Sequence, residues 1–63
     1  MNIKYFIGDT VIIKKNGITG HVIMTPYSNN GKYKVVYILH HEIYHIDVLE
    51  KELKGGESYG KSQ

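Results

Sequence analysis

Four histidines are the first candidates for chemistry. His40, His41 and His45 form the pattern HHxxxH, and His21 stands apart. A zinc ion needs three or four converging ligands. On an extended strand His41 and His45 share a face but lie about 13 Å apart, at about 3.3 Å per residue. That separation is too large for one metal unless the segment is helical. The pattern therefore reads as solvated histidines whose charge responds to pH near neutrality. There is no cysteine, which excludes disulfides and thiolate zinc sites. No nucleophile stands beside a base. Ser28, Ser58 and Ser62 fall in loop or tail segments, and Glu50 and Glu52 flank an expected turn. A domain of this size also lacks the depth for a ligand pocket of about 300 Å³ or more. The expectation is a protein with no catalytic residues, no metal, no cofactor and no small-molecule substrate.

Two other residue sets point to binding instead. Lys14, Lys32 and Lys34 share the parity of one strand face, Lys15 lies beside them in a turn, and Tyr27 is an aromatic in a loop. Lysines in a row can follow a phosphate backbone, and a tyrosine can stack on a base. The second set is apolar: Ile12, Ile23, Val36, Ile38 and Ile43. A stripe of this kind, rimmed by lysines, matches an interface with an apolar centre and a polar rim. Its occupant would be a protein partner or a second copy of the chain. An open sheet edge could also add a strand to another chain. Protein recognition is the first expectation, with modulation of a larger host enzyme or complex as one form of it. Nucleic-acid binding is the alternative.

Both sets require strands to hold them. Thr10–Lys14 is β-branched and fits a strand. Lys15-Asn16-Gly17 follows, and Asn-Gly favours a type I′ turn, which needs positive φ at both central residues. Ile18–Met24 returns, with Gly20 expected to mark a bulge or sharp bend. Thr25–Gly31 is a loop, Lys32–Leu39 a third strand, His40-His41 a turn and Glu42–Val48 a fourth strand. Leu49–Glu52 fits one 3-10 turn, and Leu53 opens a last short strand. Side chains alternate along a strand. Val11 and Ile13, then Tyr33, Val35, Tyr37 and Leu39, then Tyr44, Ile46 and Val48 thus face one way, and with Val22 and Leu53 they compose the expected core. The opposite face carries Ile12, Lys14, Ile23, Lys32, Lys34, Val36, Ile38 and Ile43. Residues 1–54 form the domain, and 55–63 (GGESYGKSQ) read as a flexible tail.

The stretch Phe6–Ile23, FIGDTVIIKKNGITGHVI, resembles the opening of SH3-like small barrels of the KOW and Tudor type. Gly8-Asp9, Val11, Ile13, Gly17, Gly20 and Val22 occupy the matching places. Tyr33-Lys34-Val35-Val36-Tyr37 resembles their aromatic-x-Val-x-aromatic strand. The interval from Val48 to Leu53 is similar to their closing strand, 3-10 turn and final leucine. The resemblance spans residues 5–54. It implies an all-β, five-stranded SH3-like barrel, and KOW-type relatives often bind nucleic acid. Tudor-type methyl-lysine readers need an aromatic cage. This chain has no tryptophan, and only Tyr5, Phe6, Tyr27 and Tyr59 stand off the expected core face. The same shortage of aromatics argues against binding of proline-rich peptides.

Composition is that of a small globular domain. Sixty-three residues allow one domain, and 41% are hydrophobic and 22% charged. The net charge is +2 and all basic residues are lysine. Residues 1–41 carry five lysines against Asp9, net +4, while 42–63 carry three lysines against five acids, net −2. Such asymmetry can steer a partner. Alanine and tryptophan are absent, and Ile, Lys, Tyr and Asn are abundant. That bias suggests an AT-rich genome, such as a low-GC bacterium or its phage. No apolar run reaches the 18 or so residues of a membrane span, and MNIKYFIGD lacks a signal-peptide core. A soluble cytoplasmic protein is expected.

Overall fold

A computed structural model describes residues 3–56. The described chain is all-β, with five antiparallel strands: β1 (Thr10–Ile13), β2 (Ile18–Met24), β3 (Tyr33–Leu39), β4 (Glu42–Val48) and β5 (Leu53–Gly55). They lie in one sheet in the order β4-β3-β2-β1-β5. β4 and β5 do not pair with each other, so the sheet is open. No helix among the described residues is long and apolar enough to cross a membrane.

Alternation sorts the faces as the pattern of branched residues requires. Val11, Ile13, Tyr33 and Val35 have no exposed surface, and Val22, Val48 and Leu53 are buried beside them. The expected core is correct at the base of the sheet and too long at its far end. Tyr37 and Ile46 are only half-buried against it, while Leu39 and Tyr44 are exposed. The reason is reach. The β2–β3 ladder ends at His21–Val36, whereas β3 and β4 stay paired to Leu39–Glu42, so the end of the hairpin lies beyond the paired part of β2. Tyr37 and Tyr44 stack on each other there, with ring centroids 5.4 Å apart.

Tyr5 corrects a second expectation. It is buried rather than free, edge-on to Tyr33 with centroids 5.6 Å apart. Its segment is pinned by the Tyr33 hydroxyl, which accepts hydrogen bonds from the backbone N–H groups of Lys4 (3.0 Å) and Tyr5 (3.1 Å). The lead-in to β1 thus closes over one end of the core.

The turns exchange roles. Ile13 pairs with Ile18, leaving a four-residue loop in which Gly17 alone has positive φ, +75°. The type I′ signature expected at Asn16-Gly17 lies instead at His40-His41, with φ of +53° and +67°. Left-handed backbone at a residue with a Cβ costs on the order of 1 kcal/mol. The long β3–β4 ladder, paired from Tyr33–Val48 to Leu39–Glu42, holds it in place.

Gly20 is a point of close approach and not the bulge. The register shift lies two residues on, between Val22 and Met24. A second 3-10 turn, Pro26–Ser28, joins the expected one, found at Glu50–Glu52. Pro26 fixes the φ of its first position, and its carbonyl accepts from Asn29 and Gly31. At the other end β5 includes Gly55, and the Gly56 N–H donates to the Thr10 carbonyl. Strand pairing therefore continues past residue 54. The rest of the expected tail, with Ser58, Tyr59 and Ser62, lies outside the described residues.

Candidate functional site

The outer face of the β3–β4 hairpin carries an apolar cross-strand pair. Ile38 pairs with Ile43, and they are 70% and 66% exposed. Behind them Val36 stands between His21 on β2 and His45 on β4, its partners on either side. A shallow groove of about 290 Å³ results, lined by Thr19, His21, Val36, Tyr37, Ile38 and Ile43.

Of the five apolar residues expected on this face, three converge on the groove: Val36, Ile38 and Ile43. Ile12 is half-buried on β1, between Thr19 and Lys54, and reaches the groove only through Thr19. Ile23 is exposed but sits in the β2 irregularity, at the far end of that strand from Thr19. The stripe is therefore shorter than alternation alone implies. Thr19 and His21 were the missing members. The Thr19-His21-Ile23 alternation carried that signal, because it sets all three on the outer side of β2.

The lysines do not rim this groove. Among the described residues its polar lining is Thr19 and His21. Lys32 and Lys34 lie at the start of β3, four or more residues from Ile38 and so at least about 13 Å along the strand. Lys14 and Lys15 lie in the β1–β2 loop, at the other end of β2. The expected lysine row thus divides into two pairs separated by the length of β2, about 20 Å. Lys14 and Lys15 join Lys51, Glu52 and Ile13 around an open surface cleft of about 400 Å³, which corrects the expectation that so small a domain would form no concavity of that volume. Lys51 arrives there because the Lys14 N–H donates to the Glu52 carbonyl (2.9 Å), drawing the 3-10 turn against the loop. Tyr27 is exposed in the Pro26–Ser28 turn, on the Lys32–Lys34 side of the molecule.

Lys34 is already engaged. Its Nζ lies 3.0 Å from Asp47 Oδ1, across the β3–β4 ladder. The same oxygen accepts from Asn29 Nδ2 at 3.0 Å, and Nδ2 also donates to the Lys32 carbonyl. The Asn29 amide first, and Lys34 second, hold the Asp47 carboxyl below the ordinary aspartate value. A carboxyl with a lowered folded-state pKa contributes stability above its unfolded pKa, and loses it as pH falls through the folded value. Asn29→Ala is expected to move the Asp47 titration upward, toward the ordinary value, in a carboxyl-detected NMR titration. An unchanged midpoint would show that Lys34 alone sets it.

Among the described residues no three His, Cys, Asp or Glu side chains converge as metal ligands. His40 and His41 occupy the turn, while His45 stands on the outer face between Ile43 and Asp47. Comparison with protein-family models, with curated proteins and with solved structures found no match to this chain.

Proposed function

We propose that this chain is a non-enzymatic binding module of the open SH3-like barrel type, which seats a protein partner on the outer face of the β3–β4 hairpin. The observation that carries the reading is the Ile38–Ile43 pair, two branched apolar side chains about two-thirds exposed beside a groove. Isolated apolar residues are ordinary on a surface. A paired set continuous with a concavity marks an interaction site. The groove fits one or two apolar side chains of a partner, with His21 and Thr19 free to hydrogen-bond its backbone.

Ile38→Lys is expected to leave the fold intact and to abolish partner binding, because the side chain is mostly in water before the change. Thermal melting should shift by no more than about 0.5 kcal/mol equivalent. Pull-down from the producing cell, with wild type and variant compared band by band, checks the second half. Unfolding of Ile38→Lys, or a partner retained by it, removes this surface.

A second reading rests on the Lys14, Lys15 and Lys51 cleft. Three lysines around one concavity can hold phosphates of a nucleic acid. Such binding would weaken steeply with salt, by roughly one unit of log–log slope for each phosphate contact. A titration with single- and double-stranded nucleic acid at low salt decides it, and absence of binding there removes it.

A further inference from the structure

The two edges of the sheet are unlike each other. β5 is three residues long and carries Lys54 and a glycine, devices that blunt an edge. β4 is seven residues long, with no proline, no lysine and no register shift against β3. Five of its residues are exposed: Glu42 to His45 in succession, and Asp47 beyond the half-buried Ile46. A two-residue turn closes on a hydrogen-bonded pair, here Leu39–Glu42. Alternation then turns the N–H and C=O groups of Glu42, Tyr44, Ile46 and Val48 toward β3. Those of Ile43, His45 and Asp47 point away from the sheet. Among the described residues no backbone hydrogen bond outside the strands reaches these three.

From this edge we infer that the protein self-associates, β4 pairing antiparallel with β4 of a second copy about a two-fold axis at His45. Geometry and charge together select that register. Outward groups must meet outward groups, and only with His45 opposite itself do all three residues find partners. His45 then pairs with His45 of the second copy, and Ile43 with its Asp47, two backbone bonds at each hydrogen-bonded pair. Centring on Tyr44 or Ile46 leaves one outward residue per chain unpaired. Centring on Asp47 sets two carboxylates face to face, which is unfavourable. In the chosen register Tyr44, exposed at the hairpin end, lies opposite Ile46 of the second copy. Asp47 enters the junction already paired with the Lys34 ammonium and holding a hydrogen bond from the Asn29 amide. The occupant of this edge is thus a second copy of the chain, in an isologous contact. The Ile38–Ile43 groove remains open on each half of the extended sheet.

The test is analytical ultracentrifugation of the full chain with amide hydrogen exchange on the same samples. Wild type is expected to sediment at twice the monomer mass by about 100 μM, with mass action setting the midpoint. Protection of the Ile43, His45 and Asp47 amides should rise at least tenfold with dimer population. His45→Pro removes one outward N–H, a position where an edge strand tolerates proline, and should give a monomer. If that variant does not fold, His45→Lys places two ammonium groups at the axis and should do the same. Ile38→Lys, which tests the outer face, should remain dimeric. A wild type monomeric at every concentration overturns the inference. So does edge-amide protection that is independent of concentration, or a dimer that survives the His45 variants and is lost in Ile38→Lys.

Discussion

Tyr33→Ala is expected to leave the chain unfolded at 25 °C. The side chain is fully buried in the core and is the largest of the fully buried ones. Truncating a buried aromatic to alanine costs about 3–5 kcal/mol. A domain this small holds only about 3–5 kcal/mol from its single core. The hydroxyl adds to the loss, since it accepts the N–H groups of Lys4 and Tyr5. Tyr33→Phe isolates that part. It should fold, with stability lowered by about 1–3 kcal/mol, because the buried Tyr5 amide loses its acceptor. Tyr5→Phe supplies the contrast. The Tyr5 hydroxyl is buried with no hydrogen-bond partner among the described residues, so removing it should leave stability unchanged or slightly raised. Urea unfolding of the three variants checks the order. Equal losses in the two phenylalanine variants would refute the pinning role given to the Tyr33 hydroxyl.

Gly20→Ala is the second large effect. A Cβ at this position would stand 2.6 Å from the Val36 carbonyl oxygen and 2.6 Å from Val35 Cγ1. The oxygen belongs to the β3 backbone and cannot rotate aside, so the β2–β3 pairing must spread. Overpacking of this kind costs about 1–3 kcal/mol. Gly55→Ala is the control, with nothing among the described residues within 4 Å of its added carbon. It should melt within about 0.5 kcal/mol of wild type. If the two variants melt together, β2 and β3 are not in the close contact described.

The resemblance to small barrels placed a glycine at this point, and alternation placed Val22 inward beside it. Neither could say whether the glycine bends the strand or lets two strands approach. That choice depends on which backbone lies across from it, a property of the assembled sheet. The same holds for the turns. Asn16-Gly17 is the better type I′ sequence, yet the register Ile13–Ile18 leaves four residues in that loop. His40-His41, a poor type I′ sequence, takes the conformation because seven cross-strand pairs converge on it. Ladder register overrides local preference when the ladder is long.

The candidate site was legible in part for similar reasons. Parity identified Val36, Ile38 and Ile43 as outward-facing, and they meet in the groove. Parity is blind to distance along a strand, so it also joined Ile23 to them and lined up lysines that stand at opposite ends of β2. It assigned Leu39 and Tyr44 to the core because their faces are right, although the hairpin outruns the core there.

What the amino-acid sequence determined by itself is the set of strands, the side each residue faces, and the absence of thiol chemistry. These follow from local alternation and composition, which need no partner segment. The tertiary structure alone decided the open sheet with unequal edges, the burial of Tyr5 under Tyr33, the engagement of Lys34 by Asp47, and the groove beside Ile38. Each of those depends on register between segments far apart in the chain, where a shift of two residues preserves every facing but changes every neighbour.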